Sequence, residues 1–174
     1  MDQTILTLDQ HQKDPSVDII GRGKYRLRHA VRAIVTDDNG SIPLLHAAMR
    51  DYYKLPGGGI DGNEDLQTAL TRELKEEIGS SARIIQELGQ VIEWRDSEHL
   101  KQISYCFIAT LIGDKGEPNF TKEEIAEGFE VVWATDVTHA ISLVASAADS
   151  ADIDVSFMTT RDAAILRAAA RKML

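Results

Sequence analysis

Glu73, Glu76 and Glu77 stand three and four residues apart in a segment whose apolar residues recur with helical spacing. At about 100° per residue, with Leu66 set to zero, Leu70 lies at ~40°, Leu74 at ~80°, Ile78 at ~120° and Ala69 at ~300°. Glu73 at ~340° and Glu77 at ~20° fall inside that apolar arc, with Glu76 on its edge at ~280°. Thr68, Thr71 and Lys75 take the opposite, solvent side. Carboxylates on a packing face repel one another and resist desolvation, and either protonation or a bound cation relieves them. A hard divalent ion such as Mg²⁺ takes oxygen ligands, usually one or two carboxylates with water and substrate phosphates. The ordinary alternative is a solvated acidic face neutralised by Arg72 and Lys75. The acids share the arc of the core leucines, so the metal site is the stronger reading. Gly57, Gly58 and Gly59 lie just upstream. Glycines let backbone carbonyls or amides approach a cation or phosphate, although three glycines also suit a plain tight turn.

The elements that must position these groups follow from the pattern around them. Glu64 to Ile78 reads as a helix, with Asn63 as N-cap, acids at Glu64 and Asp65 in its first turn and Gly79 as its stop. Tyr25 to Thr36 is rich in Val, Ile and alternating Arg and reads as a strand. Asp37-Asp38-Asn39-Gly40 follows as a hairpin-turn signal, and Ile42 to Met49 reads as the returning strand. Further strands are expected at Arg83 to Trp94, Gln102 to Ile112 and Glu130 to Trp133, and helices at Asp136 to Ala148 and Thr160 to Met173. This order predicts an α/β fold, a mixed sheet with helices packed on it. Residues 1–23 read as an N-terminal appendage and 24–174 as one domain.

The composition bounds the class. A chain of 174 residues with 43% hydrophobic and 27% charged residues suits a single domain with a substantial core. The formal charge of −9 argues against a general nucleic-acid or anionic-membrane binder, though a metal can reverse the field locally for a small anionic substrate. One cysteine, Cys106, excludes an internal disulfide framework. No apolar run approaches the roughly 18 residues of a membrane span, and no signal-peptide pattern opens the chain, so a cytoplasmic protein is expected.

Gly58, then Glu64 after five residues, then Arg72-Glu73-Leu74-Lys75-Glu76-Glu77-Ile78-Gly79 after seven more, resembles the Nudix box, G-x5-E-x7-R-E-U-x-E-E-x-G-U with U a bulky apolar residue. Every fixed position matches, as does Leu74, and chance agreement is on the order of 10⁻⁸ per starting position. Ser80 departs from the pattern, where the family prefers an aliphatic residue. The resemblance implies an α/β/α sandwich around a mixed sheet and a divalent-metal-dependent hydrolase of a nucleoside diphosphate linked to another moiety. It implies Mg²⁺, or Mn²⁺, held by Glu73, Glu76, Glu77 and the Gly58 carbonyl, with one glutamate free to take a proton from water. Arg72 and Glu64 resemble the charge pair that orients loop and helix. The first expectation is a nucleoside triphosphate pyrophosphatase. The alternatives are a hydrolase of a nucleotide sugar, ADP-ribose or dinucleotide, a non-catalytic nucleotide-binding regulatory module, and a diphosphate isomerase, for which Cys106 in an apolar strand is a poor nucleophile.

The base in this family also comes from outside the box, and Glu123, Glu124 and Glu127 are candidates in an acidic stretch that reads equally as a solvated face. Arg26, Arg28 and Arg32 alternate along one strand face and could meet phosphates or solvent. Glu93 and Arg95 fit an ordinary ion pair better than a base or ribose contact. Tyr52, Tyr53, Phe129 and Trp133 are candidate stacking residues, though most aromatics are core. The five histidines show no ligand spacing. The TILTL run is a strand edge on which two copies of the chain could pair into a homodimer.

Overall fold

The computed structural model describes residues 3–173; Met1, Asp2 and Leu174, the outer ends of the expected appendage and domain, lie outside them. The chain runs β1 (Thr4–Asp9), α1 (Gln10–Lys13), β2 (Arg26–Thr36), β3 (Ile42–Ala47), β4 (Tyr52–Lys54), α2 (Leu66–Ile78), β5 (Ser81–Arg95), β6 (Leu100–Ile112), α3 (Lys122–Ala126), β7 (Phe129–Ala134), α4 (Val137–Ala145) and α5 (Ile153–Met173). One four-stranded sheet has the order β1-β5-β6-β2, and a three-stranded sheet has the order β4-β3-β7. The first sheet is mixed: β1 runs parallel to β5 and β2 parallel to β6, while β5 and β6 form an antiparallel pair. Helices cover both faces, which is the expected α/β/α arrangement around a mixed sheet.

Alternation along β2 explains the two cores. Val31, Ala33 and Val35 pack with Leu70, Leu74 and Ile78 of α2. Ile34, one residue out of step, packs with Ala140 and Val144 of α4 and Ile165, Leu166 and Ala169 of α5. Side chains at successive strand positions point to opposite faces, so β2 serves both helical layers. Each fully buried leucine or isoleucine contributes about 2 kcal/mol through the area it removes from water.

The expected β2–β3 hairpin is corrected. The turn itself is there: Gly40 adopts φ 80°, its N–H donates to the Asp37 carbonyl, and the Asp37 carboxylate accepts from the N–H groups of Asn39 and Ser41. The strands on either side go to different sheets, β2 to β6 and β3 to β7. An Asn-Gly pair fixes the turn conformation but not the partner, and β6 offers β2 an eleven-residue register. The free edge of β2 is covered by the glycine loop. Ala33, Val31 and Ile60 donate backbone N–H groups to the carbonyls of Pro56, Gly58 and His29 respectively.

Thr4–Asp9, in the segment expected as an appendage, is the edge strand of the mixed sheet. Arg22 secures it by pairing with Asp9 and Asp96, both at 2.7 Å. Among the described residues no helix is long and apolar enough to cross a membrane.

Candidate active site

Helix α2 begins two residues later than the sequence pattern implies. Its N-cap is Asp65, whose carboxylate accepts from the Thr68 N–H at 2.7 Å, not Asn63. Glu64 is drawn out of the helix by two other partners. Its carboxylate accepts from the Asp61 N–H at 3.0 Å and takes a two-pronged contact from Arg72, 2.9 Å on each prong. Gly79 closes the helix in the left-handed conformation. Ser80 is buried and replaces aliphatic packing with hydrogen bonds: its hydroxyl accepts from the Gly116 N–H at 3.1 Å and donates to the Ile78 carbonyl at 3.3 Å.

Glu73 and Glu77 lie on the buried face, 9% and 4% exposed, while Glu76 sits at the rim. Arg72 binds the cluster together. Besides Glu64, it donates from Nη1 to Glu73 at 2.8 Å and Glu76 at 3.3 Å, and from Nη2 to the Gly59 carbonyl at 2.9 Å. Glu77 accepts from the Gly57 N–H and from Lys54 Nζ, the latter at 3.0 Å. Lys54 is a partner that sequence reasoning missed, because a lone lysine ending a short strand carries no spacing signal. Burial raises the Glu73 carboxyl above its ordinary value and the charge of Glu77 raises it further, against the pull of Arg72.

The glycine loop is shaped to this cluster. A side chain at Gly58 would place its Cβ 2.4 Å from Glu73 Oε1, so the space that Gly58 leaves is filled by that carboxylate. Gly57 has φ 128°, and a Cβ there would lie 2.2 Å from the Val31 carbonyl oxygen. The loop is anchored from behind: buried Leu55 donates its N–H to Asp162 of α5 at 2.8 Å. Among the described residues no three acidic, histidine or cysteine side chains close into a cage around an ion. Glu73 and Glu77 share a face with Gly58 against Glu73, and Glu76 joins them only through Arg72.

A cavity of about 650 Å³ opens beside the cluster, lined by Arg26, Arg28, His29, Gly59, Glu73 and Tyr105 among others. The rings of His29 and Tyr105 lie nearly parallel, 9° apart with centroids at 5.7 Å, and Tyr105 Oη is 3.0 Å from His29 Nδ1. The candidate stacking residues have other partners, in keeping with the core reading of most aromatics. Tyr52 is core, Tyr53 stacks on His46, Phe129 packs edge-on to Phe120, and Trp133 lies under Lys115. Nor do the acids outside the box join the cluster. Glu124 is used in a capping box with Thr121, Glu127 pairs with Arg50 at 3.1 Å, and Glu123 is exposed. Glu93 is a buried ion-pair partner of Arg95 and Arg161. Burial pushes the Cys106 thiol up to about 12, so it is inert at neutral pH.

Arg72 gives a direct prediction. Its guanidinium holds the Glu64 carboxyl down at about 2, from an ordinary 4.5. A depressed carboxyl adds stability that is fully present above its unfolded value and is lost as pH falls through its folded value. Arg72→Ala is expected to return Glu64 towards 4.5, read by NMR titration of the carboxyl carbon, and to flatten acid unfolding between those values. It also frees Glu73 and Glu76, with an expected loss of about 10- to 100-fold in turnover. An unmoved Glu64 titration would contradict the clasp.

A model of the NUDIX domain matches residues 26–150 of the chain. An RNA pyrophosphohydrolase of Halorhodospira halophila is 36% identical over 100 residues, 51% of this chain and 55% of that protein. An RNA pyrophosphohydrolase of Acidiphilium cryptum is 52% identical over 42 residues, 24% of each chain. The matches thus span between 24% and 55% of these curated relatives' lengths. Among solved structures, a NUDIX hydrolase of Nitrosomonas europaea superposes with a TM-score of 0.56 at 15% identity, covering 78% of this chain and 90% of that one. A MutT protein of Methanosarcina mazei superposes with a TM-score of 0.53 at 21% identity, covering 68% and 83%.

Proposed function

This chain belongs to the NUDIX domain family, and from that membership we propose that it is a divalent-metal-dependent hydrolase of a phosphoric anhydride bond in a nucleotide. The observation that carries this reading is the pair Glu73 and Glu77, buried on one helix face against a glycine loop at the edge of an open polar cavity. The donors there are all hard oxygens, and burial together with the charge of Glu77 raises the Glu73 carboxyl. That chemistry fits Mg²⁺, or Mn²⁺, better than a thiophilic metal. Glu73, Glu76, Glu77 and the Gly58 carbonyl would hold the ion. That carbonyl accepts from the Val31 N–H and keeps a second lone pair. When bound, such an ion stabilises charge on a phosphoanhydride in its transition state and lowers the pKa of water.

The chain's own residues do the rest. Arg72 fixes the rotamers of the acids and ties them to the loop at Gly59. Lys54 and the Gly57 N–H hold Glu77 as a carboxylate acceptor. Glu73, with its raised proton affinity, is the group we assign to take a proton from water, with ligation as its other role. The His29–Tyr105 pair offers a flat surface on which a base can lie.

A nucleoside triphosphate is the first substrate reading. A triphosphate at an RNA 5′ end is the second, favoured by the names of the curated relatives, and it departs from the expectation of no nucleic-acid partner. Product analysis over nucleoside triphosphates, nucleotide sugars, ADP-ribose, dinucleotides and a 5′-triphosphorylated oligonucleotide separates them. Pyrophosphate and a nucleoside monophosphate from the free triphosphate support the first reading, and release from the oligonucleotide alone supports the second. Metal-dependent binding without turnover across the panel would contradict the hydrolase and favour a regulatory module.

A further inference from the structure

On the α5 side of β2 lies a second cavity of about 240 Å³, lined by Arg28, Arg32, Arg50, Arg95 and Arg161, with Glu98 and Asp154 also on its wall. Five guanidiniums around one space are unexpected in a chain of net charge −9. Three have partners that account for them. Arg95 pairs with Asp154 at 2.7 Å and Glu93 at 3.2 Å, Arg50 pairs with Glu127 and Asp152, and Arg28 donates to Gln102. Arg32 is different. It is 5% exposed; among the described residues its only side-chain hydrogen bond runs from Nη1 to the Val31 carbonyl at 2.8 Å, and Nε is buried without a partner. Among the described residues no carboxylate oxygen lies within 4.0 Å of its guanidinium.

Arg161 stands beside it. It is 1% exposed and holds Asp162 at 2.6 Å and Glu93 at 3.4 Å, yet its Nη2 is also buried with no partner among the described residues. The two guanidiniums act on each other as like charges, and burial with that repulsion pulls Arg32 down to about 10. A buried charge without a counter-ion is costly, as is a buried donor without an acceptor. An anion between the two arginines would satisfy both. Planar guanidinium forks suit the tetrahedral oxygens of phosphate.

Position ties this cavity to the carboxylate cluster. Arg28 lines both cavities. The charge of Glu77 acts on Arg32, and that of Arg32 on Glu73. Asp162, bonded to Arg161, also holds the N–H that begins the glycine loop. An anion seated here would lie behind the acids, reached along the same strand.

We propose that the cavity between β2 and α5 binds a phosphate group of the substrate through Arg32 and Arg161. This rests on the phosphoanhydride reading above for what carries the phosphate. The substrate would then present a phosphate away from the metal-held pair, as a nucleoside triphosphate does and a nucleoside diphosphate joined to an uncharged group does not.

The test is inorganic pyrophosphate binding to the full chain by calorimetry in EDTA, where no metal carries the anion and no turnover is needed. Binding is expected, with Arg32→Met lowering affinity by about tenfold or more. Should that variant fail to fold, the Arg32 and Arg161 Nε–H resonances of the unaltered chain are followed as pyrophosphate is added. Both are expected to shift, and a nucleoside triphosphate is expected to displace the pyrophosphate. No binding, equal binding by Arg32→Met, or unshifted arginine signals would overturn the site. Pyrophosphate that a nucleoside triphosphate does not displace would overturn its assignment to the substrate. A chain that binds pyrophosphate in this way yet hydrolyses nothing leaves the site standing and removes the hydrolase.

Discussion

Glu77→Gln is expected to fold as the unaltered chain does and to lose about 10³-fold of its metal-dependent turnover, roughly 4 kcal/mol of transition-state stabilisation. The substitution keeps the shape of a side chain that is 4% exposed and keeps an oxygen for the Gly57 N–H. It removes the negative charge that faces Lys54 at 3.0 Å and the charge that acts on Glu73. The lost ion pair and the relieved repulsion oppose each other, so the melting temperature is expected to move by no more than about 3 °C. Relief of repulsion also lowers the Glu73 carboxyl, and with it any pH limb of activity that Glu73 sets. Metal-dependent turnover within about threefold of the unaltered rate would remove Glu77 from the site.

Gly58→Ala is expected to cost about 10²-fold in turnover, and its cause is steric. The added Cβ would fall 2.4 Å from one oxygen of Glu73 and 2.5 Å from the other, so the carboxylate has to leave its place. Glu73 is confined by Arg72 at 2.8 Å and by the core around α2, and a forced shift there costs about 1–3 kcal/mol of stability. Gly59→Ala is the comparison. Its Cβ would meet only the end of the Arg28 side chain, at 3.3 Å, which can move aside. Its loss is expected to be about tenfold smaller. Steady-state kinetics and thermal unfolding of the two variants side by side check this. Equal losses would show that the loop backbone, and not the room left for Glu73, is what matters.

What was legible in the sequence was periodic or local. The 3.6-residue period placed Glu73 and Glu77 on the buried face of α2, and that is where they are. The strand patterns behind β2, β5 and β6 and the helical spacing behind α4 were equally local, and the bounds differ by a few residues. Competition between neighbours was harder to see. Asn63 and Asp65 are both good N-caps, and the choice fell to Asp65 because Arg72, about two turns further along, holds Glu64 in the loop. Pairing across the chain was not legible at all. Asn39-Gly40 specified a turn, yet the strands it joins belong to different sheets. Arg32 read as one of three arginines on a strand face open to phosphates or to solvent, and the face of β2 it shares with Ile34 is covered by α5. Arg161, more than a hundred residues away, carried no motif.

The central claim is that these acids act through a divalent cation on a phosphoanhydride bond. The most direct measurement is hydrolysis of nucleoside triphosphate by the unaltered chain and Glu77→Gln, each with Mg²⁺, with Mn²⁺ and with EDTA. The account predicts turnover by the unaltered chain with either metal, none in EDTA, and restoration when Mg²⁺ is added back in excess. It predicts near-background rates for Glu77→Gln throughout. Turnover that persists in EDTA, or that Glu77→Gln retains, would contradict it.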